Sequence, residues 1–463
     1  MGTLKDLTKV IEQAQRQAAN TGSVEFTMLE EVNPMKSRSV RRADAEECVD
    51  NKMYYGDNIR LLKSLAEREE NRGKLKLIYI DPPFFSEARY DAVIRVSGSN
   101  VRHPAYDDKW QQGLYGYLRQ LTARLILMRE LLADDGLIWL HLDWHVVHYA
   151  RIIMDELFGE KNFVNEIIWT YKSGGSGRRR FARKHDNILV YSKTKHYTFN
   201  VLKEKSYNRQ FKPYRFKGVK EYRDELGWYT MVNMKDVWHI DMVGRTSAER
   251  TGYATQKPEQ LLERIVQCCT EPGDLCADFF CGSGTLPAVA ARMGRSFIAC
   301  DRGRLAVEST IGRLCAQGAG FRVYAEEPEH RTEGIRKSRF EAEVHMSMEG
   351  FPGSDKSLVT IRLGSVREHR LPPGMEEKSR TVIRKAVRNS PLDLIEAWSV
   401  DFDYDGRVHR PSAVFVRNKK GLEDVCRQIV GPDCRRICVK IADVMGNVFY
   451  VDRPCTQIRS DAR

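Results

Sequence analysis

The sequence predicts an α/β fold built on a mostly parallel sheet, and three observations predict it. Short apolar runs such as Leu75 to Ile80, Leu137 to Leu142 and Ser296 to Cys300 read as buried strands. Helical stretches lie between them, the clearest with Leu114, Leu118, Leu121, Leu125, Met128 and Leu132 on one face. Two apolar runs end in motifs that cannot continue a strand, Asp81-Pro82-Pro83-Phe84 and the turn Cys281-Gly282-Ser283-Gly284. Strands alternating with helices in this way favour parallel pairing through crossover connections.

Taken in order, Leu4, Leu7, Ile11 and Ala14 mark one helical face, and Lys36 to Arg42 reads as a basic connector. Met53 to Tyr55 is a strand stopped by Gly56-Asp57, and Leu75 to Ile80 is the next. The long leucine helix closes at Asp134-Asp135-Gly136, ahead of strand Leu137 to Leu142 and a helix through Ile152, Ile153 and Leu157. Val164 to Thr170 and Asn187 to Tyr191 flank a glycine- and arginine-rich loop; with no helix between them they should pair antiparallel. Periodicity fades from about Lys195 to Thr251 and returns in a helix through Leu261, Leu262, Ile265, Val266 and Cys269. Strand Leu275 to Phe279, helix Leu286 to Met293 and strand Ser296 to Cys300 then make one β-α-β unit. Beyond a charged linker, alternation at Val359-Ile361-Leu363, Val414-Val416 and Val439-Ile441 marks a β-rich tail, with turns at Asp405-Gly406 and Gly446-Asn447. The expected division is a helical arm and linker at 1–45, a first half-domain at 46–194, an irregular segment at 195–250, a second half-domain at 251–330, and the β-rich domain at 331–463.

A chain of 463 residues exceeds one ordinary core, which agrees with two or three domains. Lys and Arg outnumber Asp and Glu by 75 to 63, a net +12, and that excess favours a polyanionic partner such as nucleic acid. No apolar stretch is long enough to span a bilayer, and Met1 to Leu29 lacks a signal-peptide core. Eleven cysteines, scattered through apolar segments, suit a reducing compartment, so a cytoplasmic protein without membrane contact is expected. Cys434 and Cys438 have no second pair or histidine set, so no metal site is expected.

The glycine turn runs Asp278-Phe279-Phe280-Cys281-Gly282-Ser283-Gly284-Thr285, between a strand and a helix. Glycines let backbone approach a ligand, and a helix N-terminus offers free N–H groups to an anion. Pro287 stands where a dinucleotide fingerprint has its third glycine, so the anion need not be a pyrophosphate; the carboxylate of a methionine moiety would serve. Asp301 ends the next strand, where a carboxylate can accept both hydroxyls of a ribose. A glycine turn serving only helix–strand packing is the plainer alternative.

Asp81-Pro82-Pro83-Phe84 follows the C-terminal end of a strand, where open α/β sheets place their sites. An exocyclic amine on a base is a poor nucleophile because its lone pair is delocalised into the ring. A carboxylate and a nearby backbone carbonyl, both accepting from the amine, would hold it for in-line attack on a sulfonium methyl. The prolines fix the turn, and Phe84 offers a ring face for a base.

Together with Gly56-Asp57-Asn58, Asn165-Glu166-Ile167-Ile168-Trp169 and Gln256-Lys257-Pro258-Glu259-Gln260-Leu261-Leu262, these motifs resemble those of the amino-group DNA methyltransferases, over about residues 50 to 315. Their order, catalytic motif first and cofactor motif last, looks like the circularly permuted beta class, which includes modification subunits of type III restriction systems. The resemblance implies a Rossmann-like, seven-stranded domain that places Asp57, Lys257, Asp278, Phe280, Gly282, Gly284, Thr285 and Asp301 around S-adenosylmethionine. Asp81, Pro82, Pro83 and Phe84 would be catalytic. Adenine enzymes of the family usually carry D-P-P-Y and cytosine-N4 enzymes S-P-P-Y; Asp81 therefore favours adenine N6, while Phe84 departs from both. The rivals are cytosine-N4 methylation and a DNA-binding specificity subunit with a degenerate site.

An enzyme acting on an amino group inside duplex DNA must flip the base out and recover part of that cost by stacking. Phe84 is the first candidate surface and Trp169 the second, a core aromatic being the equal alternative for Trp169. Gly174-Gly175-Ser176-Gly177 followed by Arg178, Arg179, Arg180, Arg183 and Lys184 suits phosphate clamping. The basic and aromatic residues of 195–250 suit target recognition. Expected partners are double-stranded DNA, a second copy of the chain, and a restriction or helicase subunit. Pro454-Cys455-Thr456-Gln457 looks like a cytosine-C5 nucleophile motif, but lies in the β-rich tail and is taken as incidental.

Overall fold

The computed structural model describes residues 3–33, 51–172, 178–179, 181–244, 246–326, 340–368, 371 and 374–458. Helix α1 (Thr3–Asn20) and strand β1 (Phe26–Val32) are followed by β2 (Lys52–Tyr55), α2 (Asn58–Ala66) and β3 (Leu75–Ile80). A hairpin of β4 (Arg89–Val96) and β5 (Ser99–Asp107) leads to α3 (Gly113–Leu131), β6 (Leu132–Leu142), α4 (Val147–Phe158), β7 (Phe163–Thr170) and β8 (His185–Ser192). Next come β9 (Lys203–Tyr207), β10 (Glu221–Arg223), β11 (Trp228–Asn233) and β12 (Val237–His239). The sheet is then rejoined through α5 (Glu259–Cys269), β13 (Leu275–Asp278), α6 (Thr285–Arg292), β14 (Ser296–Asp301), α7 (Arg304–Ala316) and β15 (Phe321–Glu326). The tail holds β16 (Phe340–Gly350), β17 (Ser357–Glu368), α8 (Glu377–Asn389), β18 (Ile395–Asp401), β19 (Ala413–Val416), β20 (Val425–Val430), β21 (Arg436–Asp443) and β22 (Val448–Pro454).

The central sheet has ten strands in the order β1-β15-β2-β14-β13-β3-β6-β8-β7-β12. The run from β2 to β7 supplies the seven expected; β15 and β1 extend one edge and β12 the other. Parallel pairing holds from β15 to β6, and β7 and β8 form the anticipated antiparallel pair. One face is covered by α1 to α4 and the other by α5 to α7, each with its own apolar core. Burial decides the helix faces: α1 turns Leu7, Val10, Ala14 and Ala18 inward, each full burial of a larger aliphatic contributing roughly 1.5–3 kcal/mol.

One boundary differs from the sequence expectation. Asp134-Asp135-Gly136 does not end a helix before a turn but lies inside β6, which starts at Leu132. A Cβ on Gly136 would stand 2.7 Å from the Leu75 carbonyl, so only glycine lets β6 pass β3 at the register shift there. The ion pair of Lys76 with Asp135 covers the same spot.

The segment between β8 and α5 is not irregular throughout. Strands β9 to β11 form a separate antiparallel sheet in the order β10-β11-β9, and β12 returns to pair parallel with β7. The tail carries a three-stranded sheet β16-β17-β20 and a four-stranded sheet β19-β18-β21-β22. Its core takes in Val96 and Val101 of the β4–β5 hairpin, so the excursion after Asp81-Pro82-Pro83 is packed against the tail.

Candidate active site

Strands β3 and β13 pair in parallel with Cys276 opposite Leu77 and Ala277 opposite Ile78, so both motif turns leave the same edge of the sheet side by side. From β13 the chain continues over the α5–α7 face, and from β3 it runs to α3 on the other. The crevice at such a reversal is where doubly wound sheets bind ligands. It holds a cavity of about 390 Å³ lined by both motifs, among them Asp57, Asp81, Pro82, Pro83, Phe280 and Asp301.

Asp81 Oδ2 accepts from Lys257 Nζ at 2.6 Å, and both side chains are largely shielded, 17% and 10% exposed. No donor among the described residues is hydrogen-bonded to Asp81 Oδ1. Phe84 lies against His141, ring centroids 5.9 Å apart and planes at 28°, and the Lys257 ammonium stands 5.1 Å from its centroid. The chain after the turn is bent hard, with Phe85 at φ 59°. Buried Asp108 holds that bend: its carboxylate accepts from the Phe85 and Ser86 amides, the Ser86 hydroxyl and the Trp110 indole N–H.

In the glycine turn, Asp278 is buried with Oδ1 accepting from the Phe280 amide at 3.0 Å, and burial pushes its carboxyl well above the usual range. Gly282 and Gly284 have φ of 50° and 71°. A Cβ on Gly284 would stand 2.6 Å from Thr310, and one on Gly282 would press on the Tyr253 ring at 3.2 Å. Left-handed backbone and close protein neighbours thus require both glycines before any ligand is considered. Thr285 Oγ1 donates to the Lys257 carbonyl at 3.1 Å, which ties the start of α6 to the lysine.

Asp301 caps the turn from the next strand, Oδ2 accepting from the Gly282 amide at 3.0 Å and Oδ1 from the Gly303 amide at 2.7 Å. Burial raises its carboxyl above the ordinary value despite those two amides. Asp57 caps α2, and its Oδ1 accepts from the Ile59 amide at 3.1 Å and from Arg124 Nη2 at 3.2 Å. Tyr117 lines the cavity too, but its hydroxyl is buried with no hydrogen-bond partner among the described residues. The carboxylates of Asp57 and Asp301, which line the cavity, fit a ligand that carries hydroxyl or amine donors.

The structure therefore gathers Asp57, Asp81, Pro82, Pro83, Lys257, Asp278, Phe280, Gly282, Thr285 and Asp301 around one cavity. Phe84 packs beside it and Gly284 forms its helix cap. Lys257, which the resemblance assigned to the cofactor, is hydrogen-bonded to Asp81. Trp169 takes its core alternative: it is 2% exposed, its Nε1 donates to the Ile240 carbonyl at 2.8 Å, and its ring meets His141 edge-on. A buried, satisfied indole offers no face to a flipped base.

Strand β7 runs parallel to β3, because two successive antiparallel pairings separate it from β6. The arginine loop after it hence leaves the sheet at the edge that carries Asp81. Arg178, Arg179 and Arg183 are exposed, and the Arg183 guanidinium lies 3.3 Å over the Trp144 ring. Lys184 is half-buried, while Gly174, Gly175, Ser176, Gly177 and Arg180 lie outside the described residues. Sequence reasoning passed over Phe181, 98% exposed in this basic loop, although Arg-Arg-Phe-Ala-Arg-Lys was signal enough. It also passed over Asp108, Tyr117 and Tyr253, which carry no local pattern. Cys455 sits 3.3 Å from the Cys434 sulfur in the tail and does not line the cavity. No group of metal-ligating side chains occurs among the described residues, and no helix there is long and apolar enough to cross a membrane.

A family model for DNA methylase, of the N6 and N4 type, matches residues 75–311. The type II methyltransferase M.EcaI of Enterobacter cloacae is 29% identical over 324 residues, covering 57% of this chain and 69% of that protein. The type II methyltransferase M.HpaI of Haemophilus parainfluenzae is 26% identical over 261 residues, 56% of this chain and 74% of that protein. Among solved structures, the M1.HpyAVI–SAM complex is 19% identical with a TM-score of 0.37, covering 57% of this chain and 98% of that chain. The PvuII cytosine-N4-specific DNA methyltransferase is 17% identical with a TM-score of 0.40, covering 57% and 86%.

Proposed function

The chain belongs to the N6/N4 DNA methylase family, and from that premise we propose that it methylates adenine N6 at specific sites in duplex DNA, with S-adenosylmethionine as donor. The observation that carries the reading is the Asp81–Lys257 pair at the mouth of the glycine turn, in one cavity with Asp57 and Asp301. When bound, S-adenosylmethionine supplies an electrophilic methyl group on a sulfonium. The residues that would hold it are Asp301 and Asp57 by their carboxylates and Phe280 by its ring.

The chain's own work is positioning and electrostatics. Lys257 fixes one oxygen of Asp81, which leaves Oδ1 to accept a hydrogen from the incoming amine. Pro82 and Pro83 hold the turn rigid, and the carboxylate stabilises positive charge as it develops on the amine nitrogen. One face of Phe84 is taken by His141, so a flipped base would lie on the remaining surface of that ring. Arg178, Arg179, Arg183 and Lys184 clamp phosphates beside the site, and residues 195–250, with Phe211, Tyr214 and Phe216 exposed, serve target recognition.

The test is direct. Unmodified duplex DNA is incubated with the chain and labelled S-adenosylmethionine, then digested to nucleosides. N6-methyl-2′-deoxyadenosine supports the reading, N4-methyl-2′-deoxycytidine overturns the choice of base, and label in neither overturns the enzyme.

A further inference from the structure

Beneath Phe84 lies a buried polar chain that the reaction as derived above does not use. Tyr79 Oη and His141 Nδ1 are 2.9 Å apart, His141 Nε2 and Asp186 Oδ2 3.2 Å apart, and the Tyr171 hydroxyl donates to Asp186 Oδ1 at 3.0 Å. His141 is fully buried, and Tyr79 and Asp186 are 2% and 8% exposed. The groups come from β3, β6 and β8, so the chain ties three neighbouring strands together directly below the catalytic turn.

The direction of the bonds to Asp186 follows from chemistry. Burial pushes the Tyr79 phenol well up, so its oxygen keeps its proton. Burial would raise Asp186, but hydrogen bonds from His141 and Tyr171 and the positive charge of Lys257 act against it, and the carboxyl stays below its usual value. An ionised carboxylate only accepts, so His141 Nε2 carries a hydrogen toward Asp186, while Nδ1 is paired with the Tyr79 hydroxyl. The imidazole is thereby pinned at both nitrogens, with Phe84 against its face and Trp169 against its edge. Burying three polar side chains is costly unless they are hydrogen-bonded, and here each is bonded to the next.

We propose that Tyr79, His141 and Asp186 are positioning residues for methyl transfer: they lock the ring on which Phe84 rests, beside the Lys257–Asp81 pair. This rests on the DNA methyltransferase reading and deepens it. His141→Phe keeps an aromatic face and removes both hydrogen bonds, Asp186→Asn removes the charge, and His141→Gln restores a donor and an acceptor without the ring.

Single-turnover methylation of unmodified DNA is measured beside calorimetric binding of S-adenosylmethionine and the thermal midpoint. The expected result is a rate at least ~10-fold lower in His141→Phe and Asp186→Asn, with donor affinity within about twofold of wild type and partial recovery in His141→Gln. Rates within twofold of wild type, or a loss of donor affinity parallel to the loss of rate, overturn the proposal. Should His141→Phe fold poorly, Tyr79→Phe, which deletes one hydroxyl, decides on the same criteria. A wild-type chain that binds the donor and methylates no DNA overturns the reading itself.

Discussion

Two clusters of buried charge, one at the sheet edge and one under the tail, are built alike and left in opposite states. At the edge, Lys257 meets Asp81 beside a cavity of about 390 Å³, and the carboxylate keeps one oxygen unengaged by the described residues. Under the tail, Lys440 reaches Glu30 at 2.6 Å and Glu308 at 3.0 Å, with Tyr450 donating to Glu30 at 3.1 Å, around a void of about 30 Å³. Although burial opposes it, Glu30 and Glu308 hold the Lys440 ammonium well above its ordinary value. The second cluster is closed: it joins β1, α7 and β21, so the tail is fastened to the sheet through charge satisfied inside the protein. The first is open, with a carboxylate oxygen unengaged beside the cavity. Burial and ion pairing are common to both, and only unspent hydrogen-bonding capacity beside a cavity separates site from scaffold.

Substitution of the two acidic clusters should break this comparison in different observables. Asp81→Ala is expected to lower methyl transfer by about 10³-fold or more, on the order of 4 kcal/mol of transition-state stabilisation, while donor binding by calorimetry stays near wild type. Turnover equal to wild type would remove the carboxylate from the mechanism. Lys440→Met leaves Glu30 and Glu308 without their cation and should cost about 3–5 kcal/mol, read as a lower unfolding midpoint, with methyl transfer of the folded fraction unchanged. Loss of activity without loss of stability would show that the closed cluster is not scaffold.

Asp301→Ala sharpens the comparison from inside the cavity. Its carboxylate holds the Gly282 and Gly303 amides and faces the ligand space. The KM for S-adenosylmethionine should rise about 10-fold or more, with a smaller change in kcat. A fall in kcat with KM unchanged would place Asp301 outside the donor's binding contacts.

What could be read from the sequence follows the same division between local and non-local causes. The proline turn after β3 and the glycine turn after β13 are local: prolines end a strand wherever they stand, and a left-handed backbone asks for glycine. The antiparallel β7–β8 pair was legible because its loop is too poor in helical pattern to cross over. The pairing of Lys257 with Asp81 left no mark in the sequence because its partner lies 176 positions away. Trp169 was undecided because a strand-end indole reads alike in a core or a pocket until its N–H acceptor, Ile240, is placed by β12. Short β12 itself, like β1 on β15, pairs with strands far off in the chain and owes its place to register, which leaves no periodic trace in so few residues.

The smallest expected effect concerns two buried groups in the tail whose charge states oppose each other. Burial raises Asp443 to about 7 although the Met445 and Asn447 amides and the Asn447 side chain bond it. Burial likewise depresses His409 to about 4 from 6.5. For Asp443, the native state binds a proton that the unfolded chain has released, so its contribution is complete below about 4 and is lost as pH rises to about 7. For His409 the unfolded chain binds the extra proton, so that contribution is present above about 6.5 and is lost as pH falls toward 4. Between those limits the two slopes cancel in the wild type. Asp443→Asn keeps an acceptor for both amides and removes one slope. Its unfolding midpoint, taken relative to wild type, should climb as pH rises across that window, and His409→Gln should show the reverse trend. Parallel curves for either variant would mean that the group titrates alike folded and unfolded, and that its burial has no consequence for stability.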